Sequence, residues 1–342
     1  MARPSARWLI YALGGGFGHL TRACALARAA FPDCQVRILT NSPYAAGAAH
    51  AMPELDLVAL DPEMTPDLAR VEVSHQIMSA AADCLIVDTF PRGLAGELVN
   101  VVPAFSGLKV LVQRDLNPRY AATYKLNAFI ANSYDLVVVP GDTTQDSLGP
   151  FTHSVTTAPW LIRSRHEMPD RDCARRLLGL HDEKPCIVAC AAGNPEELAW
   201  YGAAVSRLLE CAPQCHVRLI APVRPDECPH DCWVGYWPAM DLYAAADVVI
   251  GGAGYNTIYE SVACGVPLVA RAWPRKYDRQ RLRACRAAAQ ARIRIVDEPD
   301  QAAAAALESC GPGPRPGLPR FQNGALEAVA TIRRMIATDP QS

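Results

Sequence analysis

The sequence predicts an α/β protein built from two doubly wound parallel sheets. Short apolar runs alternate with helical segments in two series, which a polar stretch at 163–172 separates. In each series an apolar run leads into a turn rich in glycine and then into a helix, at Gly14–Gly18 and at Gly251–Gly254. Since 342 residues suit two domains of ordinary size, we assign one sheet to each series.

Most apolar runs of the first series have the length and composition of buried parallel strands. We predict strands at 8–13, 35–40, 56–60, 84–88, 108–113 and 136–140, then, in the second series, a strand before Gly193, a helix at 196–211 and strands at 216–221 and 246–250. The predicted organisation is an N-terminal domain at 1–160, a linker at 161–175, a C-terminal domain at 176–322 and a final helix within 323–342, with a connector at 311–319 before it.

The second glycine turn has the features of a phosphate site. A helix is predicted to begin just after it, and backbone N–H groups at the first turn of a helix lack intrahelical partners and carry the positive end of the helix dipole. Glu260 follows about one helical repeat later, where its carboxylate could accept both hydroxyls of a ribose. We therefore predict a nucleotide ligand, with the phosphates on Gly252, Ala253, Gly254, Asn256 and Thr257.

The first glycine turn differs from a dinucleotide-binding fingerprint. That fingerprint requires glycine where this chain has His19, and an acidic residue where the second strand ends at Asn41. A lone histidine is more often structural or solvated than catalytic. His19, however, lies on a sharp loop at the carboxyl end of a first strand, which favours a catalytic role.

The second turn belongs to a longer pattern, Gly254-Tyr-Asn256-Thr257-x-x-Glu260 followed by Gly265-Val-Pro267, Pro274 and Gln280. This pattern resembles the donor-binding box of GT-B nucleotide-sugar glycosyltransferases, both plant-type UDP-glycosyltransferases and the MurG-like family. The resemblance implies two Rossmann-like doubly wound domains facing a cleft, with the final helix crossing back to the first domain. An unrelated βαβ unit is the alternative. Plant-type members have His at the position of Gly252 and an acidic residue at that of Arg279, so the donor sugar stays open.

The same resemblance assigns roles in the N-terminal domain. Gly16, Phe17 and Gly18 would form the acceptor loop, His19 would be the general base, and Asp88 would orient it. Asp88 could instead cap a following helix, and Asp115 is a second candidate for the acidic partner. The resemblance also places Gly193, Asn194, Met240, Asp278 and Gln280 in the donor site. It leaves open whether Trp233 or Trp237 contacts the nucleobase of the donor, or whether both are core residues.

The activity implied is metal-independent, inverting transfer of a sugar from a nucleoside diphosphate sugar, a UDP-sugar by this resemblance, to an acceptor hydroxyl. The acceptor could be a small molecule, a glycan or a lipid-linked molecule, and no cofactor is expected. Three alternatives remain open: a nucleotide-sugar hydrolase, a 2-epimerase and a non-catalytic binding protein. The hydrolase is suggested by Gly18-His19-x-x-Arg22, which is similar to the hydrolase of pseudaminic acid synthesis.

Two segments have the residue types of metal sites but the wrong context. Asp170-Arg-Asp172 lies in a charged stretch, where it would cap a helix at 173–178 rather than hold a metal. Cys228-Pro-His230-Asp-Cys232 lacks the paired Cys-x-x-Cys knuckles of common zinc sites. No metal site is predicted, and the odd total of 13 cysteines indicates reduced thiols.

Composition limits the partners and the compartment. A net charge of −2 without a basic cluster argues against nucleic acid. The sequence contains 50% hydrophobic residues but no run with the length and apolarity of a membrane span, and residues 1–7 do not resemble a signal peptide. We expect a soluble, cytoplasmic protein that could still contact a membrane peripherally.

Overall fold

The computed structural model describes residues 6–141, 151, 153–310 and 319–338. These residues form an α/β structure with two parallel sheets, as predicted. They divide into two compact units. The first unit contains the described residues up to Ile162, the segment Lys276–Asp278 and the described residues from Gln322 onward. The second unit contains the described residues of 163–275 and 279–321. Most of the proposed connector, at 311–318, lies outside the described residues.

The elements follow in chain order. The strands are β1 (Ala6–Tyr11), β2 (Cys34–Thr40), β3 (Asp56–Ala59), β4 (Cys84–Asp88), β5 (Leu108–Val112), β6 (Leu136–Pro140), β7 (Ser154–Thr157), β8 (Cys186–Cys190), β9 (His216–Ile220), β10 (Trp233–Val234), β11 (Val248–Gly252), β12 (Leu268–Arg271) and β13 (Ile293–Val296). The helices are α1 (Phe17–Ala30), α2 (Ala45–Ala51), α3 (Pro66–Ser79), α4 (Val101–Ala104), α5 (Pro118–Thr123), α6 (Leu126–Ser133), α7 (Arg171–Leu177), α8 (Pro195–Cys211), α9 (Met240–Tyr243), α10 (Tyr255–Cys264), α11 (Gln280–Ala288), α12 (Pro299–Ser309) and α13 (Gly324–Thr338).

Each sheet reverses its strand order at one point. Among the described residues, the first sheet has the order β3-β2-β1-β4-β5-β6-β7 and the second β10-β9-β8-β11-β12-β13. In the first sheet the order reverses between β1 and β4, where Tyr11 is opposite Val87. In the second it reverses between β8 and β11, where Gly251 is opposite Cys190. Ligands of doubly wound sheets bind at the carboxyl ends of the strands beside such a reversal, so these two edges are where sites are expected.

The two strands that lead into the glycine turns differ from their predicted bounds. β1 ends at Tyr11 rather than at residue 13, so Ala12 and Leu13 belong to the loop before His19. β11 runs to Gly252 rather than to residue 250, because Gly251 and Gly252 pair with Ala270 and Arg271 of β12. Two residues predicted as a turn are therefore strand.

Helices cover the sheet of the first unit. Most of α1 is buried, with Leu20 and Leu26 fully inaccessible to solvent. α13 packs against α1 and β7, so the last described helix belongs to the first unit. Among the described helices, none is both long and apolar enough to cross a bilayer.

Candidate functional site

His19 and Asp88 meet at the reversal point of the first sheet. His19 lies in the first turn of α1, directly after β1, and Asp88 is the last residue of β4. The imidazole Nδ1 lies 2.6 Å from Oδ2 of Asp88. Asp88 is 2% exposed, and its side chain is engaged by this pair rather than by a helix terminus. The helix-cap alternative for Asp88 is therefore wrong.

The partner of His19 fixes its tautomer. An ionised carboxylate only accepts hydrogen bonds, so Nδ1 of His19 carries a proton and donates a hydrogen bond to Asp88. The other ring nitrogen, Nε2, is therefore unprotonated and is the basic nitrogen. Burial lowers the pKa of His19, the cations of Arg22 and Arg114 lower it further, and Asp88 opposes these effects. His19 is therefore neutral near pH 7 and can accept a proton through Nε2.

Arg22 binds the same carboxylate, a contact that the sequence did not reveal. It is 1% exposed, and its Nε and Nη2 donate to Oδ1 and Oδ2 of Asp88 at 3.1 and 2.7 Å. Burial alone would raise the pKa of Asp88, but the charge of Arg22 and the hydrogen bonds from His19 and Arg22 hold it well below its usual range. Asp88 is ionised at any pH at which the protein would work.

Thr89 follows Asp88 in a backbone conformation that side chains rarely adopt. Its φ is +73°, in the left-handed region, and it is 6% exposed. Its Oγ1 accepts a hydrogen bond from Nη2 of Arg22 at 3.3 Å. Backbone strain of this kind concentrates at functional sites. Asp115, the other acidic candidate, is also buried, just beyond β5.

The loop predicted to hold the acceptor surrounds the start of α1. Gly16 is the N-cap of α1, and Phe17 and Gly18 are its first two residues. The Phe17 ring stacks on Tyr44 with ring centroids 4.1 Å apart and an angle of 8° between the planes. Phe17 is therefore held by a second loop, the one before α2.

The glycine turn of the second unit lies at the reversal point of its sheet. Gly254 is the N-cap of α10, with an extended backbone at φ −72° and ψ 164°, and open space lies around its Cα. Asn256 and Thr257 lie in the first helical turn, which contains no acidic residue. The positive end of the helix dipole is thus presented without a capping side chain.

Ala253 differs from the prediction for this turn. Its N–H donates to the carbonyl of Arg271 at 2.8 Å, extending the β11–β12 ladder, and Ala253 is fully buried. This N–H group is therefore already engaged within the protein. Gly252 lies at the end of the same strand, partly exposed.

Glu260 is a buried residue of α10 that lies near a second acidic residue, Asp241. It is 7% exposed, and burial together with the nearby Asp241 raises its pKa to about 8. Asp241 is paired with Arg163, whose Nε and Nη2 donate to its two oxygens at 2.8 Å each. The Tyr236 hydroxyl donates to the same carboxylate at 3.1 Å. Glu260 is consequently mostly protonated at neutral pH.

The remaining residues predicted for the donor site are distributed over several elements. Gly193 has φ +95°, and Asn194 caps α8 by accepting from the N–H of Glu196 at 3.0 Å. Met240 begins α9 and is fully buried. Gln280 begins α11, and its Oε1 accepts from the N–H of Trp273 at 3.0 Å.

Four candidates for the donor site have positions that bear on their predicted roles. Asp278 belongs to the first unit and Gln280 to the second, so the two do not share one compact unit. Trp233 is in β10, where its indole Nε1 donates to the carbonyl of Ala221 at 3.0 Å. Trp237 lies beyond β10. Neither tryptophan is assigned to the nucleobase of the donor.

The described residues contain no group of three or more His, Cys, Asp or Glu side chains placed to hold a metal ion. The Asp-x-Asp segment has a structural use. Asp170 is the N-cap of α7, and its side chain accepts from the N–H of Cys173 at 2.7 Å. This confirms the helix-capping interpretation of that segment.

Solved structures share this architecture over nearly the whole chain, although no protein-family model and no curated protein matches the sequence. The spinosyn forosaminyltransferase SpnP is 17% identical, with a TM-score of 0.60 and coverage of 98% of this chain and 96% of SpnP. The Streptomyces sp. SF2575 glycosyltransferase SsfS6, complexed with thymidine diphosphate, is 16% identical, with a TM-score of 0.59 and coverage of 97% and 96%. The glycosyltransferase VinC in complex with DTDP is 15% identical, with a TM-score of 0.55 and coverage of 97% and 99%.

The chain has the GT-B fold. In this GT-B structure, each sheet reverses its order beside one of the two glycine turns, and the candidate residues concentrate at those two edges. His19, Asp88 and the turn before α10 were predicted from the sequence. The contacts of Arg22 and the close packing of Gly14 against His19 were not. The sequence signal for the first of these was an arginine one helical turn after His19.

Proposed function

We propose that this GT-B protein is a metal-independent, inverting glycosyltransferase that moves a sugar from a nucleoside diphosphate sugar to an acceptor hydroxyl. The observation that carries this proposal is the 2.6 Å contact between Nδ1 of His19 and Asp88, which leaves Nε2 as a base. A histidine in this state can remove the proton of a hydroxyl as the oxygen attacks. The GT-B fold and its glycosyltransferase neighbours support the same activity.

The donor nucleotide is assigned to the second unit. The N-terminus of α10, where no side chain caps the helix, would receive the diphosphate through backbone N–H groups of its first turn. The Ala253 N–H is excluded from this set because it donates to Arg271. The Glu260 carboxyl group would accept a hydrogen bond from a sugar hydroxyl of the nucleoside or donate one to it. Thymidine diphosphate in SsfS6 and DTDP in VinC support a thymidine diphosphate sugar as the donor, whereas the resemblance of the α10 pattern favours a UDP-sugar.

The proposed reaction is a single displacement. Nε2 of His19 takes the acceptor proton, the acceptor oxygen bonds to the anomeric carbon, and the bond from that carbon to the nucleoside diphosphate breaks. Asp88 stabilises the imidazolium that forms. Because the acceptor oxygen attacks opposite the leaving group in a single step, the anomeric configuration inverts. The helix dipole and N–H groups stabilise the charge on the leaving diphosphate, so this step requires no metal.

Nucleotide binding tests the donor assignment. Calorimetry with TDP, UDP and NAD should give binding of at least one nucleoside diphosphate and weaker binding of NAD. Replacing Glu260 by Ala should weaken that binding by about 0.5–1.5 kcal/mol, the usual range for a hydrogen bond between neutral groups, because Glu260 is mostly protonated at neutral pH. Glu298→Ala is a matched control in the same unit, because Glu298 caps α12. Tighter binding of NAD, or unchanged TDP and UDP affinity in Glu260→Ala, would contradict the assignment.

A further inference from the structure

Arg22 is placed to weaken His19 as a base. It follows His19 by three residues on α1, so the two side chains lie on the same face of the helix. Its guanidinium holds both oxygens of Asp88, and Nη2 lies 3.3 Å from Nδ1 of His19. Three charged groups act on the imidazole in opposite directions: Asp88 raises the pKa of His19, and Arg22 and Arg114 lower it.

This arrangement differs from a plain histidine–aspartate pair. In a plain pair the carboxylate is free to stabilise the imidazolium, which strengthens the histidine as a base. Here Asp88 also binds Arg22 through two charge-assisted hydrogen bonds, so it stabilises the imidazolium less than a carboxylate that pairs with His19 alone. A proton on Nε2 of His19 would create a second cation beside the buried Arg22, so protonation is less favourable.

A weak base selects among hydroxyl groups. Proton transfer in a transition state is most effective when the acidities of donor and acceptor are matched. Phenolic hydroxyls have pKa values of about 10, as in tyrosine. Aliphatic alcohols are far less acidic, so a weakened His19 would favour a phenolic or enolic hydroxyl over an alcohol.

A row of aromatic side chains begins at His19 and reaches the surface of the first unit. The ring of Phe90 lies 5.3 Å from that of His19, with 30° between the planes. Tyr277 packs edge-on against Phe90 at 5.2 Å, and Tyr120 lies 4.9 Å from both Tyr277 and Tyr124. Tyr124 is 49% exposed. Aromatic rings pair favourably with one another in such edge and offset arrangements.

We propose that the acceptor is an aromatic molecule with an acidic hydroxyl, a phenol or enol, and that Arg22 sets this preference as a positioning residue behind His19. This inference rests on the glycosyl transfer proposed above. The phenolic O–H bond breaks as its proton moves to Nε2 of His19, the oxygen bonds to the anomeric carbon, and the nucleoside diphosphate leaves with the electron pair of its bond to that carbon.

Matched acceptors test the preference. The wild-type protein, with TDP-glucose or UDP-glucose as donor, is assayed with 2-naphthol, 2-naphthalenemethanol and decahydro-2-naphthol. The first two probes share the ring but differ in hydroxyl acidity. We expect transfer to 2-naphthol to be at least about 100-fold faster than to the other two, within the range typical of general-base effects.

Two variants separate base strength from simple damage. In Arg22→Gln the ratio of rates between 2-naphthol and 2-naphthalenemethanol should fall, and NMR titration should show a higher His19 pKa, with the resonance assigned by His19→Gln. In Arg22→Lys, which keeps the positive charge, the ratio and the His19 pKa should stay close to wild type. A ratio unchanged in Arg22→Gln would overturn the role of Arg22.

The acceptor assignment can fail separately from the proposed function. Equal or faster transfer to 2-naphthalenemethanol would overturn it while leaving glycosyl transfer intact. Transfer to none of the three probes, in a protein that binds TDP or UDP, would also overturn it and leave the donor assignment standing. Absence of nucleoside diphosphate binding would instead remove the proposed function itself.

Discussion

The imidazole ring of His19 rests directly on the backbone of Gly14. A Cβ atom added to Gly14 would lie 2.3 Å from Cδ2 and 2.7 Å from Nε2 of His19, far inside van der Waals contact. Glycine at this position is therefore required by the ring of the proposed base. The two residues link the first glycine turn to the chemistry that we assign to His19.

Gly14→Ala should reduce turnover by at least about tenfold, because small displacements of a positioned catalytic group cost large factors in rate. Gly15→Ala is the matched control, since a Cβ there has no heavy atom within 4 Å. The measurement is the steady-state rate of nucleoside diphosphate release for both variants. Equal rates in Gly14→Ala and Gly15→Ala would show that the ring contact does not matter for turnover.

His19→Ala should abolish turnover while leaving nucleoside diphosphate affinity nearly unchanged, because the donor is assigned to the other unit. Loss of a general base costs about 10²–10⁴-fold. His75→Ala, at an exposed position on α3, serves as the control. Activity of His19→Ala near the wild-type level would refute His19 as the base.

Glu260 should make stability depend on pH in a defined direction. Its pKa is about 8 in the folded protein and near 4.5 when exposed, so between these values the folded state binds more protons than the unfolded state. Stability from this group is therefore present at low pH and is lost as the pH rises toward 8.

Glu260→Gln should remove that dependence, since glutamine does not titrate. Relative to wild type, the variant should gain stability progressively from pH 5 to pH 9, by on the order of 1–3 kcal/mol at the upper end. Thermal unfolding of both proteins at pH 5, 7 and 9 measures the difference. A constant offset between the two proteins at all three pH values would contradict the buried, proton-binding state of Glu260.

Asp170 and Asp172 should affect stability and leave the reaction intact. Replacing Asp170 by Ala removes the cap of α7, which should cost about 0.5–2 kcal/mol. The double variant with Asp172→Ala should remain active, and excess EDTA should leave the wild-type rate unchanged, because the proposed diphosphate site uses backbone N–H groups. A rate that depends on magnesium or manganese and is lost in the double variant would place the catalytic charge elsewhere.

The sequence predicted those parts of the fold that depend on local pattern. Parallel strands buried on both faces read as continuous apolar runs, and glycine marks the places where a strand turns closely into a helix. The bounds of β4 were predicted to the residue, whereas β11 extends into Gly251 and Gly252 because pairing with β12 continues there. Pairing between distant strands cannot be read from the spacing within one of them.

The same distinction applies to the candidate site. The pairing of His19 with Asp88 was predicted from the resemblance to plant-type UDP-glycosyltransferases. In the structure the two side chains meet because β1 and β4 are neighbours whose carboxyl ends lie at one edge of the sheet. The ion pair between Arg22 and Asp88, and the use of the Ala253 N–H by Arg271, join residues that are far apart in sequence. Such partners emerge only when the tertiary structure is known.

Product analysis tests the central claim most directly. The protein is incubated with TDP- and UDP-sugars, with and without a mixture of phenolic and alcohol acceptors, and the products are identified by mass spectrometry and NMR. We expect one molecule of glycosylated acceptor, with inverted anomeric configuration, for each molecule of nucleoside diphosphate released. This product should form only when an acceptor is present, and it should not form with His19→Ala. Free sugar released equally without acceptor, an epimerised sugar, or no consumption of any nucleotide sugar would contradict glycosyl transfer.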